Sequence, residues 1–411
     1  MQAWHEDLKN LQSVKTVVGP VSEWQYGLSS KHDGGVRVLI HAHLQNSKAA
    51  VLEETNKPLR LKEFPLPKEF EDAAALLKTE MAGICGTDVH LWHGRLKIPL
   101  PVILGHETVG TLVKVGRGVG TDLHGDQVKE GDRVIFASSI SCGRCYYCSV
   151  AVEPTRCTSR KTYGISIPCS SPPHLFGGFS EYVYLLPGVT TLKIPEEVPT
   201  EAVIAFGCAA PTMVHAIRNI GGIAPGDYVA VQGVGPVGMF GVILALESGA
   251  SIVIALDKNT DRLHTAKSLG ATYIINTEEF QTQKDRIEMI LELTDGRGAD
   301  VVLECSGVPS AFQEGVLMCR DSGKYAEVGH YTDRGEIPIN PHHITRKQLK
   351  IFGSWGMAPR DYFNALRIIR SKWKKYRLND LVSHRFALED ATKALEIVES
   401  GEPTKAAIVP N

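Results

Sequence analysis

Residues 228–257 read YVAVQGVGPVGMFGVILALESGASIVIALD, and this stretch decides the fold of the second half of the chain. The β-branched and apolar run Tyr228 to Gln232 predicts a strand, and Ile252 to Asp257 predicts a second one. Between them lie a GxGxxG turn, Gly233 to Gly238, and a continuous apolar helix, Met239 to Leu246. Such glycines let the backbone approach a pyrophosphate at the N-terminus of the helix. The stretch therefore predicts a dinucleotide-binding βαβ unit.

An acidic residue indicates which dinucleotide this unit binds. Asp257 ends the second strand, about 20 residues after the turn, where a carboxylate accepts from the ribose 2′-hydroxyl and repels a 2′-phosphate. We therefore predict NAD over NADP. Arg262 is placed on the adenine side or on a solvated helix face. The predicted cofactor residues of this unit are Gly233, Gly235, Pro236, Val237, Gly238, Asp257 and Arg262.

The pattern around this unit predicts an α/β protein with two lobes. Further strands are expected at Tyr273 to Asn276, Val301 to Glu304, Tyr325 to Val328 and Leu349 to Phe352, with a helix around Ile287 to Leu293, so residues 210–352 form a doubly wound parallel sheet. Residues 48–209 carry short strands and many Gly and Pro turns, which favours a mostly antiparallel β lobe. The tail 353–411, with a helix around Phe363 to Ile369 and a strand at Ala406 to Val409, is expected to return to that lobe.

The first 47 residues follow neither pattern. Val36 to Ile40 is the one strand-like run in them, and we interpret this N-terminal extension as a disordered arm or a packing extension without assigning it a function. It contains Glu6 and Asp7, which argues against an Arg-rich, acid-poor organellar transit peptide, so we expect a cytoplasmic location.

The overall charge and hydropathy exclude several classes of partner. Lys plus Arg number 44 and Asp plus Glu number 46, a formal net charge of −2, which disfavours binding to nucleic acid or anionic lipid. No apolar run reaches the roughly 18 to 20 residues that span a bilayer. These properties favour an enzyme that acts on a small molecule.

Four of the nine cysteines lie between positions 142 and 157, in the CxxCxxC spacing followed by a fourth cysteine. Such short gaps let the thiolates point at one centre and close a tetrahedral zinc shell with no open position, so the lobe at about 138–160 is predicted to hold a structural zinc. The predicted ligands are Cys142, Cys145, Cys148 and Cys157. Free thiols in a loop are the alternative.

Three separate segments supply ligands for an open zinc site. Cys85 lies in GICGTD, His106 in GHE and Cys208 in FGCA. Each residue alone is weak evidence, because a single buried Cys is more often a packing residue. Together, two thiolates and one imidazole leave a fourth position for water or substrate, which is the arrangement of a catalytic zinc. Asp88 is expected to accept from the ring N–H of His106 and hold its tautomer.

Five motifs, GICGTDVH, ILGHETVG, the four-cysteine lobe, GGFSEYV and the glycine turn, occur in an order that resembles the zinc-dependent medium-chain alcohol dehydrogenase family across residues 48–411. The resemblance implies a GroES-like catalytic domain, a Rossmann coenzyme domain, two zinc ions per chain, and a homodimer or homotetramer. It also implies roles for seven further residues and one glycine. Glu107 would exchange as a metal ligand, Thr87 and His90 would relay the proton, Ser306 and Gly307 would border the nicotinamide ribose, Lys405 would contact the pyrophosphate, and Trp92 and Ser138 would line the substrate pocket.

The resemblance implies a reaction in which zinc, acting as a Lewis acid on the substrate oxygen, assists hydride transfer between an alcohol and NAD, giving a ketone or aldehyde. An imidazole at His90 would titrate near neutrality, which suits the exit of a proton relay. The small Ser138, in place of an aromatic residue, predicts room for a secondary or bulky alcohol.

The chain departs from the family pattern in four places. The gap from Cys148 to Cys157 is one residue longer, Cys208 stands where many polyol relatives carry Glu, Tyr163 to Phe176 resembles an insertion, and the N-terminal arm has no counterpart. Two other functions remain open. One is a zinc-free NADPH-dependent quinone or enoyl reductase, which would lack the ligand triad. The other is a non-catalytic zinc- and dinucleotide-binding scaffold, which would be expected to have lost Thr87 and His90.

Overall fold

The structure, a computed structural model, describes residues 46–280 and 282–410. The strands are β1 (Asn46–Leu52), β2 (Arg60–Pro65), β3 (Ala75–Ile84), β4 (Val102–Ile103), β5 (Glu107–Val115), β6 (Arg133–Phe136), β7 (Ser139–Ile140), β8 (Lys161–Thr162), β9 (Tyr182–Leu185), β10 (Thr191–Lys193), β11 (Tyr228–Gln232), β12 (Ile252–Asp257), β13 (Tyr273–Asn276), β14 (Ala299–Glu304), β15 (Cys319–Glu327), β16 (Lys350–Gly353), β17 (Val382–Phe386) and β18 (Lys405–Ile408).

The α-helices are α1 (Gly86–Trp92), α2 (Tyr146–Ser149), α3 (Thr200–Ile204), α4 (Ala209–Asn219), α5 (Pro236–Glu247), α6 (Thr260–Ser268), α7 (Gln283–Leu293), α8 (Pro309–Met318), α9 (Pro341–Arg346), α10 (Pro359–Lys372) and α11 (Ala391–Ser400). Within the described ranges, no helix combines the length and the apolar character that crossing a membrane requires. The predicted strand Val36 to Ile40 lies outside the described residues.

The glycine turn belongs to a six-stranded parallel sheet with the strand order β13-β12-β11-β14-β15-β16. This order reverses direction at β11, which places the turn after β11 at the point where a doubly wound sheet opens a crevice. The interior of β11 is fully buried, as expected for a parallel strand covered by helices on both faces. The predicted doubly wound sheet is confirmed. β15 is longer than predicted, because it begins at Cys319.

The other main sheet is built mostly from the first half of the chain. Its seven strands run β10-β6-β5-β3-β18-β17, with β9 paired to β3. Every neighbouring pair is antiparallel except β17 with β18. The predicted antiparallel lobe is therefore confirmed, and the last strand of the chain, β18, adds to it beside β3.

Residues 163–176, which resemble an insertion in the sequence, pack into the interior of this lobe. Tyr163 is fully buried, donates to the carbonyl of Tyr184 (3.1 Å) and accepts from the amide of Leu186 (2.7 Å). Leu175 and Phe176 lie in the same apolar cluster. The segment thus stabilises the lobe that carries the β3 and β5 ends of the site.

Candidate active site and metal centres

The three predicted ligands of an open zinc site come together in the structure. Cys85 follows β3 and caps the N-terminus of α1, His106 precedes β5, and Cys208 precedes α4. Their ligand atoms, together with a carboxylate oxygen of Glu107, all lie within 4.8 Å of one another. The two sulfur atoms are 3.5 Å apart. The ends of two neighbouring antiparallel strands and the start of one helix therefore surround a single point.

Asp88 ties two of these ligand segments together. Its Oδ2 accepts from the amide of Cys85 (2.8 Å) and its Oδ1 accepts from the amide of Gly105 (3.3 Å). His106 Nδ1 lies 3.3 Å from Asp88 Oδ1, but too obliquely for a hydrogen bond. The Asp88 carboxylate thus lies beside Nδ1 of His106, on the imidazole ring that it was predicted to orient. The other ring nitrogen, Nε2, remains available to the centre of the cluster.

The donor set fits a zinc ion. Burial opposes a charged His106, yet Asp88 and Cys85 raise the pKa of its imidazole well above its usual value. The Cys208 thiol, as hydrogen-bond partner, lowers the pKa of Cys85 well below its usual value. The low pKa of Cys85 favours the thiolate, which is the form of cysteine that binds a metal, and metal binding at such a site would be coupled to proton release. Two sulfur ligands and one imidazole, buried in a shell with a free side, match a catalytic zinc.

Glu107 joins the cluster from the first position of β5. It is fully buried, its Oε1 accepts from the amide of Cys208 (3.1 Å), and its Oε2 pairs with the ammonium of Lys405. Burial would raise the pKa of Glu107, but Lys405 and His106 outweigh it and lower that pKa below its usual value. Glu107 is therefore a charged carboxylate beside the ligands.

Lys405 was predicted to contact the cofactor pyrophosphate. The structure gives its ammonium the carboxylate of Glu107 as partner, on a side chain only 3% exposed at the start of β18. Lys405 also lines the cavity that reaches the glycine turn. Its pyrophosphate contact stays a prediction, and its structural role is to balance the charge of Glu107.

The four-cysteine lobe forms a second cluster. The sulfur atoms of Cys142, Cys145, Cys148 and Cys157 lie within 4.8 Å of one another. None of the nine cysteines, which all fall in the described part of the chain, forms a disulfide. Backbone N–H groups of Thr158 and Cys148 lower the pKa of Cys145 to about 6. Four converging sulfurs with backbone donors around them fit a closed, structural zinc shell.

A cavity of about 410 Å³ connects the ligand cluster with the glycine turn. Thr87 and His90 line it from one face of α1, since residues three apart lie on the same side of a helix. Burial, followed by the charges of Arg334 and Arg95, lowers the pKa of His90 to about 4. The expectation that this imidazole titrates near neutrality is therefore wrong in this structure, first because the ring is partly buried and then because two guanidinium groups lie near it.

Trp92 corrects a second prediction. It was expected to line the substrate pocket, but its indole Nε1 donates to the carbonyl of Lys57 (2.7 Å), and the ring packs in the apolar cluster of the lobe. Two residues beyond His90, it is turned by about 200° around α1, away from the cavity. The pattern CGTDVHLW does not reveal this, because the orientation depends on where helix α1 docks.

Ser138 lines the cavity as predicted, although its hydroxyl is engaged. Tyr362 OH on α10 donates to Ser138 Oγ (3.1 Å), and the amide of Ser138 donates to the same phenol oxygen (3.3 Å). Ile165, Tyr331 and Trp355 line the same cavity. Sequence reasoning missed Tyr331 and Trp355, because no motif marks them.

The predicted cofactor residues divide into two groups. Gly235, Pro236, Val237, Arg262 and Ser306 line the cavity, whereas Gly233, Gly238 and Asp257 shape the turn behind it. Gly233 has a φ of +83°, and a Cβ there would lie 2.6 Å from the Cα of Ser306. Only glycine suits this position, since both the left-handed backbone and the close approach exclude a side chain.

Asp257 holds the glycine turn through both of its carboxylate oxygens. Its Oδ2 accepts from the amide of Val234 (2.8 Å) and its Oδ1 accepts from the amide of Asn259 (2.9 Å). Arg262, on α6, donates to the carbonyl of Gly401 (3.3 Å) and approaches Gly235. The carboxylate thus fixes the loop between β11 and α5.

Comparison with known proteins gives two family matches. Residues 71–196 match the alcohol dehydrogenase GroES-like domain, and residues 236–371 match the zinc-binding dehydrogenase domain. Both matched segments contain predicted site residues, Cys85 and His106 in the first and Asp257 in the second.

Individual relatives span almost the whole chain. A 5-exo-hydroxycamphor dehydrogenase from Pseudomonas putida is 36% identical, over 89% of this chain and 99% of its own length. A sorbitol dehydrogenase from Halalkalibacterium halodurans is 34% identical, over 81% of this chain and 91% of its own length. The solved structure of an alcohol dehydrogenase from Thermotoga maritima has a TM-score of 0.84 at 35% identity and is matched over its full length by 89% of this chain.

Proposed function

Because the chain belongs to the zinc-dependent medium-chain alcohol dehydrogenase family, we propose that it oxidises a secondary or bulky alcohol with NAD, using a zinc ion held by Cys85, His106 and Cys208. The observation that carries the proposal is the convergence of these three side chains in the wall of a cavity that also reaches the glycine turn. When bound, zinc polarises the substrate oxygen and the nicotinamide accepts the hydride.

The residues of the chain perform the remaining tasks. Asp88 orients the segments of two ligands through the amides of Cys85 and Gly105. Glu107 supplies a fixed negative charge at the cluster, and Lys405 keeps that carboxylate ionised although it is buried. Such fixed charges stabilise developing charge because they need no rearrangement during the reaction.

The proton leaves along α1 in this proposal. Thr87 and His90 line the cavity three residues apart, so a hydroxyl and an imidazole follow one another from the cluster toward the rim. The guanidinium of Arg95 lies 3.2 Å from His90 Nδ1. Since the pKa of His90 is near 4, the ring is neutral at physiological pH and passes a proton on without storing it.

The cavity next to the ligand cluster limits the size of the substrate. Ser138 has a small side chain, which leaves room in the cavity for a bulky substrate. The relative from Pseudomonas putida is named for hydroxycamphor, a bicyclic secondary alcohol. We propose a similar class for this chain. Absorbance of NADH over a panel of primary, secondary, cyclic and polyol substrates tests this. A preference for secondary or cyclic alcohols supports the proposal, and equal catalytic efficiency with ethanol contradicts it.

The preference for NAD is proposed on the position of Asp257. The variant Asp257→Asn keeps a carbonyl oxygen for the amide of Val234 and removes the negative charge that repels a 2′-phosphate. We expect the ratio of kcat/KM for NAD to that for NADP to fall at least tenfold in this variant. An unchanged ratio would remove Asp257 from the assignment.

We further propose that the enzyme acts in the cytoplasm as a homodimer or homotetramer and carries one catalytic and one structural zinc per chain. The competing functions are separated by metal content, since a zinc-free reductase would hold no metal and a scaffold would turn over no alcohol. Gel filtration with light scattering determines the assembly.

A further inference from the structure

One cation in the wall of the cavity has no part in the chemistry proposed above. Arg160 lies between the four-cysteine lobe and β8, is partly buried, and lines the same cavity as Cys85, His106 and Cys208. Its side chain therefore faces the space in which an alcohol must bind.

The guanidinium of Arg160 is held in place without a negative partner. Its Nη1 donates to the carbonyl of Thr155 (3.1 Å), and its central carbon lies 4.7 Å from the ring centroid of Trp355. Trp355 in turn stacks on Tyr331, with centroids 5.5 Å apart and planes 6° from parallel. Among the described residues no carboxylate lies within the 4 Å of an ion pair. Of the five N–H donors of arginine, most remain available.

Tyr331 relates Arg160 to the metal ligands. Burial raises the pKa of Tyr331 to about 12, while the charge of Arg160 lowers it and those of Cys85 and Cys208 raise it further. Tyr331, Trp355 and Arg160 are stacked in series and line the same cavity as Cys85 and Cys208. The guanidinium and the ligand cluster therefore face one common space, in which a substrate can contact both.

The charge of the cavity is unbalanced on this side. The described residues that line it include Arg160, Arg262, Arg334 and Lys405, but Glu107 is the one carboxylate among them. Lys405 is paired with Glu107, and Arg262 lies at the glycine turn. Arg160 and the exposed Arg334 are left in the cavity wall without a carboxylate partner among the described residues. A desolvated cation without a counter-charge is costly, and a ligand anion would remove that cost.

We propose that Arg160 binds a carboxylate of the substrate, so that the substrate class is a secondary hydroxy acid. The planar guanidinium, stacked on Trp355, presents a fork of donors that matches a planar carboxylate in a bidentate manner. This inference rests on the proposed dehydrogenase function. In the reaction the C–H bond of the carbinol carbon breaks, the hydride reduces NAD, the hydroxyl proton leaves to solvent, and a keto acid forms while the carboxylate is unchanged.

The experiment uses the zinc-loaded holoenzyme and matched pairs of substrates. Each pair consists of a 3-, 4- or 5-hydroxyalkanoate and its primary amide, with the phosphate ester of the matching diol as a third arm. The variants are Arg160→Gln and Arg160→Lys. Arg156→Gln is the matched control, because Arg156 stacks on the same indole at 5.0 Å but is exposed and does not line the cavity.

We expect the wild type to prefer the carboxylate of at least one pair by about 100-fold in kcat/KM, the order of magnitude for a charged hydrogen-bonded pair. Arg160→Gln should lower kcat/KM for that carboxylate by a similar factor and for the amide by less than about threefold. Arg160→Lys should recover part of the loss, and Arg156→Gln should match the wild type.

A second measurement does not depend on turnover. Calorimetric titration with the alkanoate that lacks the hydroxyl should show binding to the wild type and to Arg156→Gln, and at least tenfold weaker binding to Arg160→Gln. Three results would overturn the inference. They are amides used as well as carboxylates, equal losses on both members of a pair in Arg160→Gln, and a preference for the phosphate ester.

The two proposals fail in different ways. If neutral secondary alcohols are oxidised but hydroxy acids are not preferred, the assignment of Arg160 is wrong and the dehydrogenase function stands. If neither neutral nor anionic alcohols reduce NAD while the alkanoate still binds through Arg160, the proposed reaction is wrong and the anion site stands.

Discussion

Two carboxyl groups meet at the end of the parallel sheet and make the stability of the protein depend on pH. Glu304 and Glu327 end the neighbouring strands β14 and β15 and lie opposite each other in the register. Glu304 is fully buried, and its Oε1 accepts from the amides of Ser306 (2.7 Å) and Gly307 (2.9 Å), so its charge holds the turn that lines the cavity. Glu327 must accommodate that charge.

The pKa of Glu327 is raised to about 7, first by burial and then by Glu304 as hydrogen-bond partner and as a like charge, while His330 at 2.7 Å lowers it. Tyr325, whose hydroxyl donates to the same carboxyl group at 3.4 Å, is the third titratable group that faces it. Because the folded pKa lies above the unfolded one, this proton stabilises the native state fully below pH 4.5 and is lost as the pH rises through 7. From 4.5 to about 7, at 1.36 kcal/mol for each pH unit, the contribution is about 3 kcal/mol.

The substitution Glu327→Gln imitates the protonated carboxyl at every pH. We expect it to leave the free energy of unfolding within about 1 kcal/mol of the wild type at pH 5 and to exceed the wild type by up to about 3 kcal/mol at pH 8. Urea unfolding of both proteins at the two pH values measures this. Glu292→Gln, on the exposed side of α7, serves as control. A difference between Glu327→Gln and wild type that is the same at pH 5 and pH 8 would refute the reasoning.

Three further substitutions test the packing around the site. Trp92→Phe removes the hydrogen bond to Lys57 and should cost about 1 kcal/mol in unfolding while leaving kcat/KM within about twofold; a tenfold change would return Trp92 to the pocket. Gly233→Ala pushes a Cβ against Ser306 in a left-handed backbone, so a fluorescence titration should show NADH binding at least tenfold weaker, and unchanged binding would argue against this turn as the cofactor site. Asp361→Ala removes a buried carboxylate that accepts from His215 (2.8 Å) and caps α10, and should lower the free energy of unfolding by about 2 kcal/mol or more, measured by urea unfolding; a loss below about 0.5 kcal/mol would contradict it.

The coenzyme-binding half of the fold was predictable because its signals are local. The strand at Tyr228, the glycines that follow and the acid at Asp257 lie within one continuous stretch, and each has a conformational reason that can be seen in the sequence. The same holds for the four-cysteine lobe, whose spacing alone brings the sulfurs together. The ligands Cys85, His106 and Cys208 lie far apart in the chain, and family resemblance, more than spacing, joined them.

The errors arose where a side chain's surroundings come from remote segments. The environment of His90 includes Arg334, which lies more than two hundred positions away, and this guanidinium shifts a pKa that the sequence suggests is ordinary. Trp92 turns toward Lys57 because of how α1 packs against the lobe. Arg160 and Trp355 have no motif that joins them, since their contact exists only after the tail of the chain has folded back onto the first lobe.

The proposed reaction requires a catalytic zinc, held by Cys85, His106 and Cys208, that is separate from the zinc of the four-cysteine lobe. Mass spectrometry of the intact protein under native conditions counts bound zinc directly, in the wild type and in Cys208→Ala, with Cys169→Ala as control because that buried thiol lies in neither cluster. We predict two zinc ions per chain in the wild type and in the control, and one in Cys208→Ala, together with the loss of NADH formation. Two zinc ions retained by Cys208→Ala, or a single zinc in the wild type, would contradict the account.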